Sequence, residues 1–222
     1  MVRERTIETS EGIQDGFTVE KYDQSMRIMR DKGIIKMELK PVLKLGMTDG
    51  HALEIGPGPG YLGLEWLKAT RETRLTGLEI STNMIRTARK NAEEYGLSNR
   101  TEYIEGNAME LHFQDGTFDA FFSNGSLHEW EDPIRVFNEA YRVLKPGGRY
   151  CISDLRRDMN FIIKWYMKST VKPKEMVNGL LSSINAAYTP KELETMKSGT
   201  SLMNARVKGN PFGLILTGLK NT

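Results

Sequence analysis

The stretch HALEIGPGPGYLGLEWL, residues 51–67, decides the fold. His51 to Ile55 reads as a short buried strand, and Gly56, Gly58 and Gly60 follow it directly. Glycines at this spacing let the backbone turn tightly and let a ligand come close where side chains would stand in the way. The residues after them, with Leu62, Leu64, Trp66 and Leu67 as apolar content, read as a helix. Its first N–H groups and its positive dipole end point back at the turn. Strand, turn and helix together predict a cradle for a polar ligand.

The glycines alone leave two cofactors open. Gly58, Gly60 and Gly63 satisfy the G-x-G-x-x-G of dinucleotide sites, while Gly56, Gly58 and Gly60 give the G-x-G-x-G of S-adenosylmethionine sites. Glu54 offers a discriminator: a carboxylate beside the turn repels a pyrophosphate but attracts a ligand carrying an ammonium and a sulfonium. S-adenosylmethionine carries both. The bland alternative for Glu54 is an exposed acid at a strand end.

Outward from this stretch, apolar segments alternate with helical ones in the rhythm of a parallel sheet covered on both faces. RLTGLEI (74–80) reads as the second strand, TEYIEGNA as a third from about 101 to 106, and FDAFFSN as a fourth from 118 to 123. Met84, Ile85, Ala88 and Ala92 sit at helical spacing, with Gly96 as the stop. Asp132 and Pro133 start a helix carrying Val136, Phe137, Ala140 and Val143, and KPGG (145–148) turns it into the strand RYCISDL. After Leu155 a helical stretch lacks a strand partner. Thr189, Pro190 and Glu192 form a capping-box start, and ARVKGNPFGLILTGLK reads as two strands joined at Gly209 to Pro211. Before the first strand, residues 17–45 read as two helices interrupted by Gly33 and Pro41.

The expected architecture is α/β: a Rossmann-like, seven-stranded, mostly parallel sheet with an antiparallel terminal strand and helices on both faces. One domain spans 1–222. It divides into an N-terminal helical lid (1–47), a cofactor-binding core (48–155), a helical insertion (156–188), and a terminal helix with its hairpin (189–222).

Composition sets outer bounds. At 222 residues there is room for one domain with an appended lid. Apolar residues make up 39% and charged residues 27%, ordinary globular values that argue against a disordered or collagen-like class. No apolar run reaches the roughly 18 residues of a bilayer span, and MVRERTIETSEG is charged rather than signal-like. A soluble, cytoplasmic protein is the expectation. Cys151 is the only cysteine, and His51, His112 and His128 are scattered, so no metal site is expected. Residues 156–222 hold eleven Lys and Arg against four Asp and Glu, while the remainder has twenty against twenty-five. The basic third can face an anionic substrate, an acidic surface or nucleic acid, or simply water.

Glu79 closes the second strand, 19 residues after Gly60, where an acid can accept hydrogen bonds from both ribose hydroxyls. Asn107 and Ala108 fall where a small polar side chain and a backbone N–H can read an adenine edge, although Asn also commonly starts turns.

Taken in order, ALEIGPGPG, GLEIS, EGNAMEL, FDAFFSNGSLHEWEDP and RVLKPGGRY resemble class I S-adenosylmethionine-dependent methyltransferases. The small-molecule branch typified by ubiquinone and menaquinone biosynthesis is the nearest in pattern. The resemblance covers about residues 50–155 and, less closely, the terminal hairpin. It implies S-adenosylmethionine as cofactor, with S-adenosylhomocysteine as product. Glu54, Gly56, Gly58 and Gly60 would surround the methionine portion, Glu79 the ribose, and Asn107 with Ala108 the adenine. Ile80 would pack on the adenine face and Asn124 would line the sulfonium region. Met84 joins the cofactor-binding set, and Tyr22 would close over the cofactor or serve as a core aromatic. Asn107 departs from the Asp that many relatives carry, but its amide oxygen can still accept from the adenine amine.

Methyl transfer is an in-line displacement, so alignment and exclusion of water supply much of the catalysis. Where the acceptor must lose a proton a base helps, and in SLHEW (126–130) His128 is the candidate. The competing reading of His128 is packing, or capping of the following helix. The acceptor is expected to be a small molecule bound through O, C, N or S, under a roof made by the N-terminal helices and the insertion. The Asn/Asp-Pro-Pro-Tyr signature that the resemblance associates with amino methylation is absent, with SNGS in its place, which disfavours DNA adenine or protein glutamine as acceptor without excluding RNA; nucleic acid is not the expected partner. The alternatives are an RNA methyltransferase using the basic third, a non-catalytic S-adenosylmethionine-binding protein, and an oxidoreductase using the second glycine register. A monomer and a homodimer are both compatible with the sequence.

Overall fold

The computed structural model describes residues 4–6 and 12–221, so most of the charged opening stretch lies outside the described residues. Two helices, α1 (Gly16–Asp31) and α2 (Ile34–Leu43), precede the sheet. Asp15 caps α1 by accepting a hydrogen bond from the Thr18 N–H at 2.8 Å. Gly33 separates the helices by taking φ 75°, a conformation open to glycine. Pro41 was expected to interrupt, yet it lies inside α2. It forfeits the one bond its N–H would have given the Met37 carbonyl, and the helix ends two residues later at Leu43.

The sheet is built from β1 (Asp49–Ile55), β2 (Glu72–Glu79), β3 (Thr101–Glu105), β4 (Phe118–Asn124), β5 (Leu144–Leu155), β6 (Arg206–Gly209) and β7 (Gly213–Leu219). Their order is β3-β2-β1-β4-β5-β7-β6. The first five run parallel, while β7 pairs antiparallel with both β5 and β6. The crossover helices are α3 (Tyr61–Ala69), α4 (Thr82–Glu94) and α5 (Pro133–Val143). The insertion folds as α6 (Phe161–Thr170) and α7 (Met176–Ala186), and α8 (Pro190–Lys197) begins with the expected Thr189–Glu192 capping box.

Strand alternation sorts the core into two layers. Leu53, Ile55, Phe121 and Ile152 pack with α5 residues Val136, Phe137 and Ala140 and with Leu193 of α8. Ala52, Ala120, Phe122 and Cys151 face the other way, onto α2 residues Ile35, Leu39 and Val42 and onto Leu62 and Trp66 of α3. Burial on both faces is why the central strands read as nearly unbroken apolar runs.

One boundary departs from expectation. KPGG is not a turn ahead of β5 but an irregularity within it: the register with β4 shifts between the Phe118–Leu144 and Ala120–Arg149 pairs. Gly147 takes φ 75° and its N–H donates to the Lys220 carbonyl, so the chain bends without leaving the ladder.

Candidate active site

Parallel strands present their C-terminal ends on one edge, and open α/β sheets bind ligands there. The glycine turn sits at the end of β1, with Gly56, Gly58 and Gly60 at φ 67°, 52° and 84°. A side chain at Gly56 would meet Ser126 at 2.7 Å, and one at Gly60 the Tyr103 hydroxyl at 2.6 Å. No side chain caps the first turn of α3, so its N–H groups are presented to the turn.

Glu54 lies beneath this turn, only 2% exposed. Its Oε2 has no hydrogen-bond partner, and a Cβ on Gly63 would come within 2.2 Å of it. Gly63 is thus the gap into which the acid fits, a different use from the dinucleotide register that its spacing allowed. Burial pushes the Glu54 carboxyl up to about 8, with Glu79 nearby adding to the rise. The exposed strand-end reading is overturned. A cation placed beside the carboxyl would favour its charged form, which a pyrophosphate in the same place would oppose.

Glu79, at the end of β2, accepts backbone N–H bonds from Gly58 at 3.0 Å, Ile80 at 2.9 Å and Ser81 at 3.1 Å. Two of these fall on Oε1 and one on Oε2, so Oε2 keeps acceptor capacity for a ligand hydroxyl. Burial nonetheless raises the carboxyl. Beside it, residues 12–14 lie across the β2 edge. The Ser81 hydroxyl donates to the Ile13 carbonyl at 2.6 Å, Asn83 donates to the Gln14 carbonyl at 2.6 Å, and a Cβ on Gly12 would sit 3.1 Å from Ile80. Nothing in the sequence pattern announced this strap, whose contacts are largely backbone.

Met84 is buried in α4, where its N–H is capped by the Ser81 hydroxyl. Asn107 is exposed and its side-chain oxygen accepts from the Met109 N–H at 2.9 Å, the local turn that Asn favours. Ala108 is half-buried beside it.

Tyr22 of α1 hangs over the turn, its ring 3.5 Å from where a Gly58 Cβ would stand. Burial and the charges of Glu129, Glu38, Glu79 and Asp154 hold its hydroxyl above the usual phenol range. Helix α1 is anchored from behind: the Tyr61 hydroxyl and the Asn91 amide both donate to Asp23, and Asn91 also donates to the Pro59 carbonyl. Glu38 of α2 accepts from the Asn124 amide at 3.3 Å, and burial raises its carboxyl to about 7. The Ser153 hydroxyl in turn donates to the Asn124 oxygen at 2.7 Å, linking β5 to β4.

His128, in a short 3-10 turn (Leu127–Glu129), is 3% exposed. Its Nδ1 lies 2.9 and 3.0 Å from the two Asp154 oxygens, and its backbone N–H donates to Asp154 at 2.8 Å. The helix-capping alternative is corrected, because Asp132 caps α5 through the Arg135 N–H at 3.0 Å. Sequence reading missed Asp154 and Glu38. Asp154 had a signal, an acid at the end of the strand RYCISDL, whereas Glu38 is one of several acids in a helical pattern. Arg5 donates to the Ala186 and His128 carbonyls and lies over the Tyr188 ring, tying the N-terminal segment to this end of the sheet. Among the described residues no His, Cys, Asp and Glu grouping could hold a metal.

Comparison with known proteins agrees with this geometry. A methyltransferase domain model matches residues 53–152. The ubiquinone/menaquinone biosynthesis C-methyltransferase of Ruegeria sp. (strain TM1040) is 35% identical over 139 residues, 60% of this chain and 53% of the relative. The chain therefore spans about half the length of the curated relatives it matches. A crystal structure described as a putative S-adenosyl-L-methionine-dependent methyltransferase from Methanococcus maripaludis superposes with a TM-score of 0.75 at 21% identity, covering 99% of this chain and 98% of that one. A phosphoethanolamine N-methyltransferase from Haemonchus contortus, solved with S-adenosyl-L-methionine, covers 78% of this chain and 38% of its own, with a TM-score of 0.60 at 21% identity. The core at residues 53–152 is thus similar to a methyltransferase domain, and the seven-stranded sheet with its glycine turn shares the fold of solved S-adenosylmethionine-dependent methyltransferases.

Proposed function

We propose that the protein transfers the methyl group of S-adenosylmethionine to an oxygen, carbon, nitrogen or sulfur atom of a small-molecule acceptor. The observation that carries this reading is the buried His128–Asp154 pair on the same sheet edge as the glycine turn and Glu79. In this reading Glu54 and Gly56, Gly58 and Gly60 hold the methionine end of the cofactor, and Glu79 holds the ribose. Ile80, Met84, Asn107 and Ala108 enclose the adenine, while Tyr22 and Asn124 line the sulfonium region. When bound, the cofactor supplies a methyl group already activated by its positive sulfur.

The protein's part is alignment, exclusion of water and movement of one proton. Asp154 fixes the orientation of the His128 ring through Nδ1, so proton exchange with an acceptor falls to Nε2. The resulting imidazolium is stabilised by the Asp154 carboxylate. An acceptor without a proton to lose leaves this pair idle and relies on positioning alone. Helices α1 and α2 (within 1–47) and the insertion (156–188) act as the roof over the acceptor. The reading places the enzyme in the cytoplasm as a monomer or homodimer, and no helix among the described residues is long and apolar enough to cross a membrane.

Isothermal titration with S-adenosylmethionine, S-adenosylhomocysteine and NAD tests the cofactor half. The first two should bind and the third should not; the reverse pattern overturns the reading. Incubation of a cell extract with methyl-labelled cofactor and wild-type protein, against His128→Ala, tests the chemical half. Label should enter a low-molecular-weight product with wild type only.

A further inference from the structure

Helix α6 turns its most apolar side chains outward. Phe161, Ile162, Trp165 and Tyr166 are 77%, 56%, 68% and 51% exposed. They fall at i, i+1, i+4 and i+5, which places them on one stripe. Ile163, Lys164 and Met167 occupy the opposite, partly buried side. The stripe continues beyond the helix. The Tyr166 ring lies 6.5 Å, centroid to centroid, from that of Phe212 in the β6–β7 turn, which is itself 44% exposed. Single exposed hydrophobes are ordinary on a protein surface, but five together mark a site of contact.

The chemistry around the stripe says what the contact is. Lys168, Lys172 and Lys174 flank it and are exposed, as is Lys208 on β6; across 161–175 the only acid is Glu175. Aromatic rings beside lysines, on a short helix lying along the surface, are the composition of segments that settle at the interface of an anionic bilayer. There the rings enter the headgroup and acyl boundary while the lysines meet lipid phosphates. A second copy of the chain fits less well, since a two-fold contact would bring these lysines against their own kind. A nucleic acid would leave Phe161 and Ile162, at the end of the stripe, against a polar backbone.

We propose that the outer face of α6, extended by Phe212, docks this protein onto the surface of a membrane rich in anionic lipid. This inference does not depend on the identity of the methyl acceptor, nor on methyl transfer itself.

Co-sedimentation of the full chain with vesicles of phosphatidylcholine alone, or of phosphatidylcholine mixed with phosphatidylglycerol, tests it. Binding should be confined largely to the mixed vesicles and should weaken with salt. Lys168→Gln and Lys172→Gln should each weaken it about fivefold, the contribution of one basic residue near such a surface. Trp165→Ser with Tyr166→Ser should abolish it while leaving the melting midpoint unchanged. Brominated phosphatidylcholine in the mixed vesicles should quench the wild-type tryptophan emission, a signal from Trp165 because Trp66 is buried and Trp130 largely so. Failure to sediment with mixed vesicles overturns the proposal. So does a dimer in solution that dissociates in the Trp165→Ser, Tyr166→Ser variant, or displacement of the vesicles by RNA.

Discussion

Asp154 grips His128 twice, once at the ring Nδ1 and once at the backbone N–H, so that one carboxylate sets both the position and the rotation of the imidazole. Both N–H groups are buried and need an acceptor, and a single carboxylate supplies it for the two of them. The grip also separates two kinds of substitution. On the proposed role, changing the ring removes the base, whereas changing the acid leaves a base that is badly aimed.

His128→Ala should lower kcat by about 10²- to 10⁴-fold for an acceptor that loses a proton, the usual contribution of a general base. Asp154→Asn keeps the shape and one acceptor oxygen, so its loss should be smaller and should fall on kcat more than on KM. Affinity for S-adenosylhomocysteine, measured by titration, should stay within about twofold in both variants. Equal activity in His128→Ala and wild type would reduce the pair to a structural role.

Glu54 predicts a pH dependence whose sign can be worked out. Its folded-state carboxyl is raised to about 8 from an ordinary 4.5, so between those values the folded protein binds more protons than the unfolded chain. Stability contributed by this group therefore falls as pH rises through that window, and Glu38, raised to about 7, adds to the same trend. Glu54→Gln should flatten the fall in melting midpoint between pH 5 and 8 more than Glu38→Gln does. Charging Glu54 beside a cationic ligand must also release its proton. Titration of S-adenosylmethionine at pH 7 in buffers of different ionisation enthalpy should show proton release by wild type and much less by Glu54→Gln.

Much of this was legible because it is written in the backbone-determining residues. The glycines at 56, 58 and 60 require positive φ, and Asp132–Pro133 and Thr189–Glu192 are local capping signals that act over three or four residues. Glu79 and His128 could be nominated because strand ends are predictable positions, whereas Tyr22, inside α1, was nominated only by the family resemblance. Asp154 pairs across 26 residues, Glu38 meets Asn124 across 86, and Ser81 meets Ile13 across 68. Such contacts follow from how whole elements pack, and no short-range pattern encodes them. KPGG was misread for a related reason: its turn chemistry is real, but β4 and β7 hold the strand on either side of it.

Gly63→Ala tests close approach beneath the turn. The added Cβ would stand 2.2 Å from Glu54 Oε2 and 2.3 Å from Leu75 Cδ2, so both buried side-chain ends must shift to admit it. Overpacking of this kind costs about 1–3 kcal/mol. Chemical denaturation should report that loss. Adding Glu54→Asp, which draws the carboxyl back by one methylene, should recover part of it. Non-additivity between the two changes would identify the acid as the neighbour that matters.

Tyr22 offers the sharpest distinction between a lid that merely covers and one that reads charge. Its ring lies against Gly58, and burial, with the charges of Glu129, Glu38, Glu79 and Asp154, holds its hydroxyl above the usual phenol range. An aromatic face favours a cation by about 0.5–2 kcal/mol, and S-adenosylmethionine differs from S-adenosylhomocysteine by the positive charge on sulfur. Tyr22→Phe keeps the face and should bind both within about twofold of wild type. Tyr22→Ala should weaken S-adenosylmethionine by about two- to thirtyfold, the range that energy converts to, and S-adenosylhomocysteine by less. Parallel titrations of the two ligands against the three proteins decide it. If Tyr22→Ala weakens both ligands equally, the ring contributes packing over the turn and the acids alone supply the recognition of charge.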